Sequence, residues 1–297
     1  MKTCTIIQED CRQALKEYKE QADLILMSPP YSNARSKHYD SIAPDQFAEW
    51  FLTFHEVFWD ALKEDGSLVI NIKDKVVNGT RHRYVWQTIL KFVEAGWRCI
   101  DDYIWVKPNP MPGYWPTRLR DGWEYCFHLA KTTKPYINQE AVRIPIGDWV
   151  SRGRKSESLE DKRCYSASGS GFSRNRSKWA EKSLVLPSNV LYAPTVCNNK
   201  RHPAVFPLAL PSFFIKLLSR KDSLVIDPFA GSGTTGVAAL NLGRHALLID
   251  NNPTYCQVAR ERVERELQRH PCQILLRTKE PCSIFSSTTS GDTRQYG

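Results

Sequence analysis

The sequence lacks the features that would place a protein in a membrane, secreted or zinc-binding class. No apolar stretch approaches the roughly eighteen residues that a membrane-spanning helix needs. The first residues, MKTCTIIQEDCRQ, contain no apolar core of a signal peptide. The nine cysteines are odd in number and include no C-x-x-C pair, which argues against a disulfide framework and a zinc ribbon. We therefore expect a protein of a reducing, cytoplasmic setting without a metal site.

Positive charge is the first feature that the sequence does have. The 297 residues carry a formal net charge of +9, which favours a polyanionic partner. Residues 151–182 contain nine Lys or Arg against four Asp or Glu, within a stretch rich in Ser, Gly and Arg. Taken alone, such a stretch without periodicity is typical of a solvated loop.

Apolar runs and helix-like periodic segments alternate in both ends of the chain. The clearest predicted helix covers residues 43–66, where phenylalanines recur every three or four positions before an Asp65-Gly66 turn. The predicted strands include DLILM (23–27), SLVINI (67–72), WRCIDDYIWVK (97–107), GWEYCFHLAK (122–131), DSLVID (222–227) and RHALLID (244–250). This alternation predicts an α/β fold with a doubly wound, mostly parallel sheet, although the pattern fades between Lys131 and about Pro207.

A glycine-rich turn follows one of these strands in SLVIDPFAGSGTTGVAAL, residues 223–240. Glycines at this position let the backbone approach a ligand at the carboxyl edge of a parallel sheet. The next strand ends at Asp250, where an acid is placed to hydrogen-bond ribose hydroxyls. A phosphate-binding P-loop is excluded because Val237 follows Gly236 where that loop requires lysine.

A second distinctive turn, SPPY at residues 28–31, follows the strand DLILM. Prolines end strands, and on its own the turn has this simple explanation. With the glycine-rich turn, however, the chain resembles the amino-methylating DNA methyltransferases. SPPY is similar to their [DNS]-P-P-[YF] catalytic loop, and FAGSG at residues 229–233 is similar to their F-x-G-x-G cofactor loop.

Further segments support this resemblance. DCRQAL (10–15) and HPAVFP (202–207) are similar to other family segments, and the order with the catalytic loop first resembles the β-type arrangement. The resemblance covers roughly residues 3–131 and 202–268. It implies a Rossmann-like S-adenosylmethionine-dependent methyltransferase fold with an inserted target-recognition region. The implied division is a catalytic half at 1–131, a target-recognition region at 132–201, a cofactor-binding half at 202–276 and a disordered tail at 277–297.

The resemblance also implies partners. Double-stranded DNA is the expected substrate and S-adenosyl-L-methionine the expected cofactor. We expect a prokaryotic or phage-encoded protein that acts in the cytoplasm at the nucleoid. A cognate restriction endonuclease that acts on the same DNA site is a further partner that the resemblance allows, and no direct complex with it is implied.

The implied site residues fall into three groups. The catalytic residues are Ser28, Pro29, Pro30 and Tyr31. Ser28 Oγ and the Pro29 carbonyl would accept the two hydrogens of the amine of a flipped-out base, on which Tyr31 would stack. The cofactor residues are Asp10, His202, Phe206, Pro207, Asp227, Phe229, Gly231, Gly233 and Asp250, of which Asp10 and Asp250 have the alternative of capping the helices that follow them. The expected DNA-binding residues are Arg152, Arg154, Lys155, Arg174, Arg176 and Lys178.

The resemblance also implies which base is methylated, through the first residue of the catalytic loop. Serine is typical of the cytosine-N4 enzymes, whereas members that act on adenine mostly carry Asp or Asn. Adenine-N6 methylation of DNA, methylation of structured RNA and an inactive DNA-binding protein are the alternatives, and the intact loops argue against the last.

Pro271-Cys272-Gln273 is similar to the nucleophile tripeptide of cytosine-5 methyltransferases. We reject that chemistry because only 24 residues follow Gln273 and a predicted helix precedes it.

Overall fold

The computed structural model describes residues 2–32, 42–110, 112–146, 163–165, 171–173, 183–195, 207–267 and 272–278. Its strands are β1 (Lys2–Gln8), β2 (Ala22–Met27), β3 (Leu62–Ile72), β4 (Lys75–Val77), β5 (Thr80–His82), β6 (Arg98–Val106), β7 (Trp123–Ala130), β8 (Ile144–Pro145), β9 (Arg163–Tyr165), β10 (Gly171–Ser173), β11 (Leu184–Val185), β12 (Val190–Tyr192), β13 (Leu224–Asp227), β14 (His245–Asp250) and β15 (Cys272–Thr278). Nine of them form the main sheet, in the order β12-β6-β7-β3-β2-β13-β14-β1-β15.

The main sheet is mostly parallel. Six of its eight strand pairings are parallel, and β7 alone runs antiparallel to its neighbours β3 and β6. Because β7 is reversed, its first residues lie at the edge where the parallel strands end. The predicted α/β fold with a doubly wound sheet is confirmed.

Helices cover both faces of the sheet. They are α1 (Cys11–Ala14), α2 (Pro44–Leu52), α3 (His55–Ala61), α4 (Tyr84–Glu94), α5 (Ala209–Leu218), α6 (Thr234–Asn241) and α7 (Pro253–Leu267), with 3₁₀ turns at Leu15–Glu17 and Gln139–Val142. Side chains of α1 to α4 form one hydrophobic cluster, and those of α5 to α7 form the other. Strand β2 lies between them: Ile25 and Met27 belong to the first cluster and Leu24 and Leu26 to the second, as the two-residue period of a strand requires.

The strand order reverses direction between β2 and β13. The chain passes from β2 to β3 on one side, and from β13 to β14 on the other. In open α/β sheets, the crevice outside the carboxyl ends of two such neighbouring strands is where ligands bind. The residues that follow Met27 and Asp227 therefore lie at the preferred position for a site.

The predicted helix at 43–66 is wrong in detail, because the structure divides it into α2 and α3. The break at Thr53 and Phe54 leaves the aromatic stripe continuous: Phe54 lies 5.9 Å from both the Phe51 and the Phe58 ring centroid. Helical periodicity alone therefore did not reveal the break. The expected Asp65-Gly66 turn is also wrong, since both residues lie within β3 as part of a bulge between the pairs Ala22–Leu62 and Leu24–Ser67.

Strand β15 was not predicted. It pairs parallel with β1 from Lys2–Cys272 to Gln8–Thr278, so its last two residues, 277 and 278, belong to the predicted tail of 277–297. The rest of that predicted tail lies outside the described residues.

Strand β12 joins the main sheet beside β6, which assigns part of the predicted 132–201 region to the main sheet. Among the described helices, none is both long and apolar enough to cross a membrane.

Candidate active site

Two loops meet at the carboxyl edge of the sheet. SPPY follows β2, and the glycine-rich turn follows its neighbour β13. Ile25 pairs with Ile226, so Ser28 and Phe229 leave the sheet at the same level, on strands about 5 Å apart. The structure thus brings residues 28–31 and 229–233, which lie far apart in the sequence, to one edge of the sheet.

A chain of hydrogen bonds connects the SPPY loop to strand β7. Ser28 Oγ donates to Tyr31 Oη at 3.3 Å, and Tyr31 Oη donates to Glu124 Oε2 at 2.8 Å. Asn71 Nδ2 also donates to Glu124 Oε2, at 3.2 Å, and the Lys107 ammonium contacts Glu124 Oε1. Burial, together with the nearby charge of Glu124, raises the pKa of the Tyr31 phenol well above its ordinary value. Tyr31 therefore stays protonated and acts as a hydrogen-bond donor.

The sheet topology places the three residues beyond the loop. Asn71 lies near the end of β3, Glu124 near the start of the antiparallel β7, and Lys107 just after β6. Trp105 pairs with Glu124 across β6 and β7, and the Lys107 ammonium lies 4.6 Å from the Trp105 ring centroid. All three side chains are held by the main sheet, which gives the Tyr31 hydroxyl a rigid partner.

The glycine-rich turn is organised by two buried carboxylates. Asp227 accepts hydrogen bonds from the Phe229 N–H at 3.1 Å and from Thr235 Oγ1 at 2.5 Å. Burial raises the pKa of Asp227 to about 7. Asp250 Oδ2 accepts from the Gly231 N–H at 2.9 Å, so the end of β14 holds the turn that follows β13.

Helix α7 also reaches this turn. Arg262 donates to Ser232 Oγ at 3.0 Å and to Thr234 Oγ1 at 2.7 Å. Burial lowers the pKa of Arg262 from its ordinary value. The turn is therefore fixed from both sides, by Asp250 on β14 and by a helix that no sequence motif connects with it.

Asp250 does not cap the helix that follows it. Asn252 performs that role, since Asn252 Oδ1 accepts from the Thr254 N–H at 2.9 Å. Asp250 Oδ1 instead accepts from the Asn252 N–H at 2.9 Å, and burial raises the pKa of Asp250. A carboxylate offers about four lone-pair positions, so both of its oxygens can still accept a hydrogen bond from a ligand hydroxyl.

Asp10, in contrast, does cap its helix. Asp10 Oδ1 accepts from the Arg12 N–H at 2.8 Å, and the Arg12 guanidinium pairs with the carboxylate through Nε at 3.0 Å and Nη2 at 2.5 Å. The hydrogen bond from Arg12 holds the pKa of Asp10 below its ordinary value. The capping alternative is confirmed, and a cofactor contact by Asp10 stays a prediction.

The remaining predicted residues differ in what the structure shows of them. Pro29 and Pro207 are buried, and the Pro207 carbonyl accepts from the Leu210 N–H at 3.0 Å as α5 begins. Phe229 is half-buried, with its ring 5.4 Å from that of Phe54. The predicted residues His202, Phe206, Arg152, Arg154, Lys155, Arg174, Arg176 and Lys178 lie outside the described residues.

Sequence reasoning missed Asn71, Lys107, Glu124 and Arg262. Lys107 and Glu124 stood at the ends of predicted strands, where a charged residue beside an apolar run is a weak signal. Their importance depends on β6 and β7 being antiparallel neighbours, and no pattern within either strand shows which strand it pairs with.

Comparison with known proteins gives a consistent result. A family model described as DNA methylase matches residues 22–261. The type II methyltransferase M.PvuII of Proteus hauseri is 28% identical over 271 residues, which cover 83% of this chain and 79% of M.PvuII.

Solved structures share the fold. The structure of PvuII DNA methyltransferase (cytosine-N4-specific) matches with a TM-score of 0.66 and 23% identity, over 93% of this chain and 95% of that one. The S-adenosyl-L-methionine complex of a DNA modification methylase from Thermus thermophilus matches with a TM-score of 0.62 and 21% identity, over 93% and 99% of the two chains.

Proposed function

The chain belongs to the DNA methylase family, and we propose that it transfers a methyl group from S-adenosyl-L-methionine to the N4 amine of a flipped-out cytosine in duplex DNA. The family predicted from the two loops is therefore confirmed. The observation that carries the proposal is the meeting of Ser28-Pro29-Pro30-Tyr31 with the glycine-rich turn at the point where the strand order reverses.

The glycine-rich turn fits the cofactor. S-adenosyl-L-methionine supplies an electrophilic methyl group on its sulfonium. Gly231 and Gly233 have φ values of 50° and 75°, which glycine adopts without strain and which leave backbone open to a ligand. Asp250 keeps lone pairs for the ribose hydroxyls. The proposed cofactor residues are thus Asp227, Phe229, Gly231, Gly233 and Asp250, with Asp10, His202, Phe206 and Pro207 as further contacts.

The SPPY loop supplies what an amine needs in order to react. The nitrogen lone pair of an amino base is delocalised into the ring, so the nitrogen must be oriented before it attacks a methyl group. Ser28 Oγ and the Pro29 carbonyl accept its two hydrogens, and the prolines fix the loop because their φ is restricted. Tyr31 offers its ring to the base, which must leave the duplex to reach the loop.

Cytosine is favoured over adenine by Ser28 at the first position of the loop. The named relative PvuII DNA methyltransferase, described as cytosine-N4-specific, supports the same choice. As with the type II methyltransferase M.PvuII, we propose a place in a restriction-modification system. A cognate endonuclease would then share the DNA site, and the enzyme would act in the cytoplasm at the nucleoid.

The surroundings of the site suit DNA. Lys73, Arg81 and Arg118 converge on Asp121 beside the end of β3, and together they carry an excess of positive charge. Tyr114 and Leu119 are 87% and 89% exposed on the loop that leads into β7. Cations beside exposed aromatic and apolar side chains are the combination that contacts phosphates and unstacked bases. The predicted arginines and lysines of residues 152–178 would extend this surface.

The test is the identity of the methylated base. The protein is incubated with mixed-sequence duplex DNA and S-adenosyl-L-methionine, the DNA is digested, and the nucleosides are identified by mass spectrometry. We expect N4-methylcytosine. N6-methyladenine would overturn the choice of base while keeping the DNA methyltransferase chemistry, and the absence of any methylated nucleoside would overturn the proposed substrate.

A further inference from the structure

The hydrogen bonds that lead to Ser28 all run in one direction. Ser28 Oγ donates to Tyr31 Oη at 3.3 Å, and Tyr31 Oη donates to Oε2 of the buried Glu124 at 2.8 Å. A serine hydroxyl can both donate and accept. Whether the serine donates to a substrate or accepts from it depends on where its own hydrogen points. Here the direction of that hydrogen is set by Glu124, at the other end of the hydrogen-bond chain.

Glu124 decides it because an ionised carboxylate can only accept. Its Oε1 accepts a hydrogen bond from the Lys107 ammonium, and its Oε2 accepts one from Asn71 Nδ2 at 3.2 Å. The Tyr31 hydroxyl is 2.8 Å from Glu124 Oε2 but 3.4 Å from Asn71 Oδ1. The phenol hydrogen is therefore directed to Glu124, and the raised pKa of Tyr31 keeps that hydrogen in place.

The Tyr31 oxygen is then left with lone pairs alone, which accept the Ser28 hydrogen. Since that hydrogen points away from the substrate side of the loop, Ser28 presents lone pairs to whatever lies there. The neighbouring Pro29 carbonyl is also an acceptor without a hydrogen. The Ser28 hydroxyl and the Pro29 carbonyl therefore both act as acceptors, and neither offers a hydrogen to the substrate.

We propose that Glu124, paired with Lys107, is a positioning residue that makes Ser28 an obligate hydrogen-bond acceptor and so restricts the site to bases that present an amine. This inference rests on the proposed function, in which Ser28 faces the base. A keto base such as thymine or uracil would set its carbonyl oxygen against two acceptors, which leaves buried polar groups unpaired. The hydrogen-bond acceptors of the loop thus discriminate against keto bases.

The first test is Glu124→Gln, which keeps the length and the accepting oxygen of the side chain but adds an amide donor. That donor can bond the Tyr31 oxygen, reverse the chain and turn the Ser28 hydrogen towards the base. We expect kcat to fall at least tenfold, with the Kd for S-adenosyl-L-methionine and the KM for DNA changed less than threefold. Glu124→Asp, which restores an acceptor-only group, should recover part of the lost kcat.

The matched control is Asp23→Asn. Asp23 is a buried carboxylate in ion pairs with Lys63 and Arg220, and it has no hydrogen bond to the SPPY loop. We expect this variant to lower the melting temperature and leave kcat unchanged. An equal loss of kcat in both variants would show a general effect of removing a buried charge and would overturn the inference.

The decisive measurement is a double-mutant cycle with Tyr31→Phe. Without the phenol hydroxyl, no hydrogen bond among the described residues connects Glu124 to Ser28, so Glu124→Gln should change kcat less than twofold in that background. The same factor in both backgrounds overturns the inference.

A binding experiment covers the case in which Tyr31→Phe is too slow to measure. Once the methylated site has been mapped, equilibrium affinity is compared for duplexes that carry cytosine or uracil at the target position. The preference for cytosine should narrow at least threefold in Glu124→Gln, and an unchanged preference overturns the inference. Formation of methylated DNA by the wild-type protein tests the proposed function separately, because it is read from the product and does not depend on any variant.

Discussion

At the scale of single residues, Ser28 and Ser32 differ in the partners of their hydroxyls. Ser28 Oγ lies in the hydrogen-bond chain to Glu124, whereas Ser32 Oγ donates to the Ile42 carbonyl at 2.8 Å and is buried. Two serines on one loop thus offer a matched pair, one expected to face the base and one that fastens the loop.

We predict that Ser28→Ala lowers the methylation rate about a hundredfold, the size of effect that loss of one positioned hydrogen-bonding group has in other active sites. The Kd for S-adenosyl-L-methionine should not change, because Ser28 is not among the proposed cofactor residues. Single-turnover kinetics and calorimetric titration measure the two quantities. Ser32→Ala is expected to reduce stability by about 1 kcal/mol and to keep the rate. A Ser28→Ala enzyme as fast as the wild type would contradict the catalytic assignment.

Asp227 yields a prediction about pH. Its pKa is raised to about 7 by burial in the folded protein, against an ordinary carboxyl value near 4. Between these values the folded protein holds a proton that the unfolded chain has lost. The contribution of Asp227 to the free energy of unfolding therefore falls as pH rises from about 4 to about 7, and is constant above.

The measurement is urea unfolding of the wild type and of Asp227→Asn across that pH range. The asparagine keeps an oxygen for the Phe229 N–H and carries no charge. We expect the stability of the wild type relative to the variant to fall by roughly 4 kcal/mol between the two pH limits. A difference that does not depend on pH would mean that Asp227 ionises in the fold as it does in water.

At the scale of elements, α6 and α7 meet at Gly233. Its φ of 75° lies in the left-handed region, and a Cβ there would lie 3.0 Å from Ala259 Cβ on α7. Gly243, after α6, has nearly the same φ of 76°, with no atom within 4 Å of its Cβ position. The two glycines share the backbone conformation and differ in the close approach.

We predict that Gly243→Ala costs about 1 kcal/mol of stability, because alanine is strained in the left-handed conformation. Gly233→Ala carries the same strain and in addition forces α7 away, which should cost a further 1–3 kcal/mol or so. Urea unfolding measures both. Gly233→Ala should also weaken cofactor binding, since the displaced residue belongs to the turn. Equal destabilisation by the two substitutions would show that α7 yields without cost.

Element prediction from the sequence succeeded where one local pattern decided the outcome. Apolar runs such as SLVINI and RHALLID became β3 and β14 because a buried parallel strand needs little more than such a run. The pattern failed at Phe54, where tertiary packing keeps one aromatic stripe across two helices. It also failed at β15, whose short apolar sequence CQILLRT follows Pro271 and is held by pairing with β1.

In the site, too, residues within a local sequence pattern could be predicted, and residues brought together by the order of the strands could not. The two loops could be predicted because their glycines and prolines must stand at fixed spacing on the chain. Glu124, Lys107 and Asn71 could not, since they come together only through the order of β3, β7 and β6 in the sheet. Asp10 and Asp250 looked alike in sequence, as acids near the start of a helix. Their roles separated only when Arg12 was found to occupy the first and Gly231 the second.

At the scale of the whole molecule, positive charge lies at the same edge of the sheet as the catalytic loop. The net charge is +9, and described cations such as Lys73, Arg81 and Arg118 lie beside the carboxyl edge, where SPPY also lies. Residues 151–182 hold a further local excess of five positive charges, from nine Lys or Arg against four Asp or Glu. If DNA is bound at that edge, its affinity must depend on the salt concentration.

Each phosphate contact contributes about −0.9 to the slope of log K against log salt for duplex DNA. We predict a steep slope for the wild type, and a slope shallower by roughly 3 to 4 when Arg152, Arg154, Arg174 and Arg176 are replaced together by serine. The control replaces Lys16, Lys19, Lys216 and Lys221, exposed residues near the opposite, amino edge of the sheet, and removes the same charge. Fluorescence anisotropy with a labelled duplex between about 50 and 200 mM salt gives all three slopes. If the control lowers the slope as much as the arginine variant does, net charge alone sets the affinity. An unaltered slope in the arginine variant would instead leave DNA binding to the cations beside β3 and β7, and would remove residues 152–176 from the interface.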